Sequence, residues 1–190
     1  VRGRERLTGI FKEPLDGPVA IAGTTVGDDV QVDKRHHGGE YKAVYVYAIE
    51  DYEWWSRELS RAVGPGEFGD NITTRGLAIS AALIGERWRL GTALVEVTDP
   101  RIPCSTLRSR IGEPGFVKRF ARAERFGAYC KIVTEGFVSA GDSVVVVERP
   151  EHEVTIVDVA RAYFSSDPTD MKKLYERAGE PEHFRARVEQ

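Results

Sequence analysis

Cysteine is scarce in this chain, with two among 190 residues, Cys104 and Cys130. Neither sits in a CxxC or a Cys/His zinc spacing, so a disulfide framework and a structural zinc site are both excluded. Long apolar runs are missing too. None approaches the about 18–20 residues that a membrane span needs, and no leader-like stretch stands at the start, which is Val1 rather than a methionine. A reducing, cytoplasmic location without membrane contact is therefore expected. Charge of one sign is also lacking: a net charge of −3 favours no polyanion, and nucleic acid is not expected as a partner. The chain carries no Rossmann fingerprint, no cysteine set for an iron–sulfur cluster and no c-type haem motif. What it has is an ordinary globular composition, 41% hydrophobic and 30% charged. Its length suffices for one domain, or one domain with a small appendage.

The chain is organised around Asp99-Pro100-Arg101-Ile102-Pro103-Cys104-Ser105-Thr106-Leu107, which follows a strand-like run from Thr92 to Thr98. Each proline fixes its own φ and biases the residue before it toward an extended conformation. The backbone entering Cys104 is expected to be stiff and non-helical, which suits a thiol presented at a fixed place. Arg101, three residues earlier, is placed to lower the thiol pKa or to hold an anion beside it. Two readings stand at this point: a presented, reactive thiol, or a small buried hydrophobe in a proline-rich loop.

Alternation and turn signals predict strands through most of the first 150 residues. Short apolar runs at 7–11, 19–22 and 30–32 are separated by Pro14, Gly17-Pro18, Gly23 and Gly27, and Ala43–Ile49 is a β-branched and aromatic strand. The polar loop Asp33–Lys42 carries His36, His37 and the pair Gly38-Gly39. Those glycines allow a sharp turn and a close approach to a ligand, whereas adjacent histidines point different ways and make a poor metal pair. A helix is expected over Asp51–Val63, with Tyr52, Trp55, Leu59 and Val63 on one face and Gly64-Pro65-Gly66 closing it. Phe68–Leu77 reads as a glycine-punctuated polar segment. Its Asn71, Thr73 and Thr74 suit a heteroaromatic or phosphate-bearing ligand, or a turn with Asx-type bonds. A hairpin over Ile84–Thr98 breaks at Gly91, and Phe116–Phe126 is a basic helix with Phe116, Phe120 and Ala123 on its apolar side. From Arg101 to Lys131 eight basic residues stand against two acids, Glu113 and Glu124. That excess suits an anionic ligand or an acidic partner, or simply a solvated helix face. Further strands are expected at Ala128–Thr134, with Cys130 structural, and at Ser143–Glu148.

After Arg149-Pro150 the texture turns helical. A capping box at Thr155…Asp158, an Asp167-Pro168 start closed at Gly179, and a last helix opened by Pro181 with Phe184 and Val188 mark three short helices. Helices this short must lean on each other or on a partner. Residues 151–190 are expected as an appendage to a domain over 1–150, offering an interaction surface, a homodimer contact among its uses.

Taken in order, Asp33…His37-Gly38-Gly39-x-x-Lys42-Ala43, Phe68-Gly69-Asp70-Asn71-Ile72, Arg101-Ile102-Pro103-Cys104 and Gly136…Val138…Gly141-Asp142 resemble the MOSC domain family, named for the C-terminal domain of molybdenum-cofactor sulfurases. The helices after Pro150 are similar to the three-helix extension of its YiiM-like bacterial branch. The resemblance covers nearly the whole chain, and its weight lies in four motifs in order. It implies a mainly β fold: a MOSC-type β-barrel with peripheral helices, plus a C-terminal three-helix segment. It also implies the molybdenum cofactor, a pterin whose dithiolene holds the metal, with Cys104 as the protein thiolate on molybdenum. By the same matching, Arg101 and Asn71 hold the pterin phosphate or pyran. His37 and Lys42 shape the pocket from the other loop, N–H groups near Gly38 and Gly39 serve the phosphate, and Thr73 is a further candidate.

The activity the resemblance implies is reduction of N-hydroxylated compounds (hydroxylamines, amidoximes, N-hydroxylated bases) to the amine. Oxygen leaves nitrogen in a two-electron step, with the proton from His37 or from a bound water. Because the chain carries no redox motif of its own, the electrons come from a separate reductase or electron-carrier protein, with the basic stretch Lys118–Arg125 as its docking face. Three other readings stand beside this one. Cys104 is a persulfide sulfur carrier; the chain is a cofactor-binding or delivery protein with the tail as partner surface; or it is a cysteine hydrolase with His37 as base.

Overall fold

In a computed structural model of the chain, residues 9–29, 38–167 and 169–184 are described. Their strands form two sheets curved into a half-barrel with helices around it. One sheet has three strands, β1 (Val19–Ala22), β2 (Thr25–Val26) and β8 (Gly136–Val138), in the order β2-β1-β8. The other has six: β3 (Val44–Ala48), β4 (Ile72–Thr74), β5 (Arg87–Leu90), β6 (Ala93–Pro100), β7 (Ala128–Thr134) and β9 (Val144–Glu148). Their order is β4-β3-β7-β6-β5-β9, with β3 and β4 parallel and every other neighbour antiparallel. The helices are α1 (Ile49–Leu59), α2 (Ser105–Ile111), α3 (Phe116–Ala123), α4 (Ile156–Phe164) and α5 (Thr169–Arg177).

All five residues of β3 are buried, and the period of two sends Tyr45 and Tyr47 to one face. Tyr47 leads into an aromatic core. Its ring lies 4.8 Å from Tyr52 and 5.2 Å from Phe68, and its hydroxyl accepts the Trp55 indole N–H at 3.0 Å. Trp55 in turn stacks on Phe120 of α3 at 5.6 Å. The apolar faces read from sequence on α1 and α3 therefore pack against each other over β3. Tyr45 leads instead toward the Cys104 stretch.

Gly127 is where this packing tolerates no side chain. The Tyr45 and Tyr47 hydroxyls donate to the carbonyls of Phe126 and Arg125, both at 2.9 Å. A Cβ on Gly127, at φ +67, would stand 2.7 Å from Tyr45 Cε2, from Tyr47 Cδ2 and from the Val46 carbonyl. Gly127→Ala is expected to cost about 2–4 kcal/mol from overpacking and left-handed backbone together. Urea unfolding measures it, and a loss under about 0.5 kcal/mol would be the ordinary surface value and refute this placement.

Several sequence expectations are corrected. Helix α1 stops at Ser60, φ 51, before the glycines. The reason is Ser56, whose hydroxyl bonds both the N–H and the carbonyl of Val63 and folds the departing chain back onto the helix. Residues 9–11 form no strand; buried Ile10 packs under Gly69 instead. The polar segment 68–77 contains β4, held by parallel pairing to β3. A helix the sequence did not announce, α2, follows Cys104 at once and ends at Gly112, φ 77. The expected strand at 30–32 and the final residue of interest in the tail, Val188, lie outside the described residues.

The tail joins the same core. The Ile84 and Ile156 N–H groups donate to Val154 and Ala82 carbonyls at 3.0 Å, and the Thr155–Asp158 capping box forms as its spacing requires. Val154, Ile156, Val159, Ala160, Leu174 and Phe184 are continuous with the buried cluster of the sheets. Among the described residues, no helix is long and apolar enough to cross a membrane.

Candidate functional site

Strand β6 runs down the sheet and delivers Arg101-Ile102-Pro103-Cys104 at its end. Cys104 is extended, φ −130 and ψ 176, and it caps α2 without a side-chain cap bond. The residue is half-buried, whereas Cys130 lies fully buried in β7, where burial pushes its thiol well above the ordinary range. Of the two thiols, only Cys104 is placed to meet a ligand.

Arg101 is 5% exposed. Its Nη1 reaches the Ile102 carbonyl at 3.4 Å, its Cζ stands 5.8 Å from the Tyr45 ring centroid, and it is in hydrogen-bonding contact with Cys104. Its buried Nε has no partner among the described residues. Burial pulls the guanidinium pKa down, but Tyr129, Tyr45 and Cys104 outweigh this and leave it above its ordinary value. The same charge favours the thiolate of Cys104.

The register of three strands gathers side chains around Arg101. Tyr129 on β7 lies opposite Tyr45 of β3 and opposite Asp99 of β6. The Tyr45 and Tyr129 rings are 5.0 Å apart, and Lys42 Nζ stands 5.9 Å over the Tyr129 ring. Burial raises both phenol pKa values, partly offset by Arg101, so both hydroxyls stay protonated at neutral pH. Lys42 arrives by a short 3-10 turn, Glu40–Lys42, which starts at Gly39 with φ +93 and closes with the Lys42 N–H on the Gly39 carbonyl at 3.1 Å. This is the service Gly39 performs: only glycine adopts that φ without strain.

Asn71 and Thr73 are engaged within the fold. The Asn71 side chain accepts the Tyr45 N–H at 2.9 Å and donates to Asp29 at 2.8 Å, and Asp29 pairs with Lys12 at 2.8 Å. It thereby fixes Tyr45, and with it one wall of the pocket. Thr73 donates to the buried Asp70 carboxylate at 2.6 Å, which also accepts from Tyr52 and from the Gly66 N–H at the aromatic core. Lys42, Arg101 and Cys104 thus converge, while Asn71 acts one layer behind them. His37 lies outside the described residues. Tyr45, Tyr129 and Asp29 went unnoticed in the sequence, because tyrosines alternating in strands carry the same signal as core packing.

Among the described residues, no group of three or more His, Cys, Asp or Glu is gathered as a metal site would gather them. A metal held at Cys104 would bring most of its ligands with it. Of the basic side chains on and beside α3, Arg125 pairs with Asp51 and Arg119 with Glu58, while Lys118 and Arg122 stay exposed.

The chain is similar in sequence and in fold to known proteins. A family model described as the MOSC domain matches residues 33–145. The YflK protein of Bacillus subtilis (strain 168) is 32% identical over 97% of this chain and 84% of its own length. The crystal structure of YiiM from Geobacillus stearothermophilus superposes with a TM-score of 0.77 at 30% identity, covering 96% of this chain and 90% of that one. A protein of Gibberella moniliformis named as a reductase is 32% identical over 84% of this chain, which spans 29% of that larger protein.

Proposed function

The chain belongs to the MOSC domain family, and from that premise we propose that it holds the molybdenum cofactor at Cys104 and reduces N-hydroxylated compounds with electrons from a separate donor. The MOSC domain is associated with that cofactor, and one relative bears the name reductase. The observation that carries the reading is the buried Arg101 guanidinium, with an unpartnered Nε, in contact with the half-buried Cys104 thiol. A buried cation with an open donor calls for an anion, and a thiolate beside it calls for a soft metal. A phosphate-bearing group with a sulfur-ligated metal satisfies both.

In that reading Cys104 holds the metal and Arg101 holds the phosphate, joined by the N–H groups near Gly38 and Gly39. Lys42, Tyr45 and Tyr129 wall the site; the Tyr45 hydroxyl donates to the Phe126 carbonyl, while Tyr129, which stays protonated, is able to donate a hydrogen bond. When bound, the cofactor supplies two-electron removal of oxygen from the substrate nitrogen. His37 is assigned the proton from its place in the matching motif, histidine being the side chain type that ordinarily changes charge near neutral pH. The donor docks on the part of the α3 face left to solvent, Lys118 and Arg122, which favours an acidic partner.

The test is purification from a host that makes the cofactor, with molybdenum measured by mass spectrometry and pterin by fluorescence after oxidation. Near-stoichiometric metal and pterin, with amine formed from a hydroxylamine when a flavin or haem donor is added, is the expected outcome. Cofactor without turnover under any donor would turn the assignment to delivery. Absence of pterin together with a persulfide on Cys104 would replace it by sulfur transfer.

A further inference from the structure

Thr98 sits where the β6–β7 ladder slips. The register passes from Val97 opposite Cys130 to Asp99 opposite Tyr129, leaving Thr98 without a partner of its own. Such a bulge re-aims the residues that follow, here Asp99 through Cys104. It also leaves a fully buried carbonyl to be satisfied. The group that meets it comes from the far end of the chain: His183 Nε2 lies 2.8 Å from the Thr98 carbonyl, 85 residues away in sequence. Because a carbonyl only accepts, Nε2 carries the proton.

The same histidine touches the opposite wall. Its ring lies 5.3 Å from the Tyr41 ring and 4.5 Å from Phe184, which is fully buried. The Tyr41 hydroxyl reaches Glu182 at 3.4 Å. The Thr98 hydroxyl bonds the Tyr41 carbonyl at 2.5 Å and the Tyr129 carbonyl at 3.0 Å. Thr98 therefore ties β6, β7 and the Lys42 turn at one point, and His183 clasps that point from the tail.

We infer that His183 is a positioning residue: it holds the bulge, and with it Arg101, Cys104 and the Lys42 turn, in the geometry that receives the cofactor. The inference rests on the functional reading above and adds that the tail belongs to the pocket. Tail docking and cofactor binding share one equilibrium, so each strengthens the other by the same factor.

His183→Ala and His183→Gln test this, the glutamine keeping an N–H donor for the Thr98 carbonyl. Three readouts are taken: the iodoacetamide alkylation rate of Cys104 in cofactor-free protein, pterin and molybdenum content, and the thermal midpoint. Cys130 does not interfere, being fully buried. With alanine, alkylation is expected to quicken roughly three- to ten-fold as the loop loosens, and cofactor content to drop by a similar factor, the worth of one hydrogen bond. Glutamine restores both. A lower midpoint with neither readout moved shows plain packing and overturns the inference, as does a glutamine variant that recovers the midpoint alone. If alanine does not fold, amide hydrogen exchange of residues 182–184 in the wild type decides: it slows when the cofactor is loaded, and unchanged exchange refutes the linkage. Wild type that takes up no pterin refutes the functional reading instead, and the alkylation rates then decide the role of His183.

Discussion

Cys104→Ala is expected to lose the metal and keep the fold. The side chain is half-buried, makes no capping bond for α2 and gives up a contact with Arg101, so its removal should cost about 1–2 kcal/mol and leave the fold intact. Its loss from the metal is another matter. Replacing groups that merely support metal ligands costs about 10–100-fold in affinity, and a ligand that is itself the protein's contribution should cost more than 100-fold. Cys130 offers no substitute, since burial keeps its thiol protonated. The contrast is therefore sharp: Cys130→Ala is expected to lose about 1–2 kcal/mol of stability from a small core void and retain molybdenum. Metal analysis beside urea melts on both variants reads this directly. Molybdenum retained by Cys104→Ala would remove the thiol from the metal and leave the site reading without its centre.

Arg101→Met is expected to move stability and binding in opposite directions. At neutral pH the phenols of Tyr45 and Tyr129 are uncharged, so among the described residues the buried guanidinium has a contacting thiol, a long carbonyl contact, the Tyr45 ring and an unpartnered Nε. Replacing an incompletely satisfied buried charge by an apolar chain of similar length should stabilise the cofactor-free protein by about 1–3 kcal/mol. Cofactor affinity should fall by at least about 100-fold, the worth of two charge-assisted bonds to a phosphate. Arg101→Lys keeps the charge but loses the planar fork, and is expected to fall between. Thermal midpoints of cofactor-free protein and pterin retention separate the two effects. A strongly destabilised methionine variant that still retains pterin would make Arg101 a structural residue.

These expectations reach back to what single segments could tell. The β-branched and aromatic run within Ala43–Ile49, the hairpin broken at Gly91, and the strands at 128–134 and 143–148 were legible because residue preference and turn chemistry act over a few residues. The same holds for the Thr155–Asp158 capping box and for the extended backbone into Cys104, where two prolines leave little choice. The pairing of Arg101 with Cys104 was readable for that reason: both lie in one stiff turn of chain. Strand β4 was not, since three residues carry no period and its existence depends on β3 beside it. Nor was the end of α1, where a serine one turn back outranked the glycines ahead.

The sequence by itself determined the half-barrel's main strands, the thiol at the end of β6 and the family to which the chain belongs. Only the tertiary structure decided which side chains share the pocket. Tyr45, Arg101 and Tyr129 come from three separate segments, and they meet because β7 pairs with β3 and β6 in one register with a slip at Thr98. A shift of one residue would send Tyr129 to the opposite face, and no local rule fixes that shift. It is set by what the whole sheet can bury.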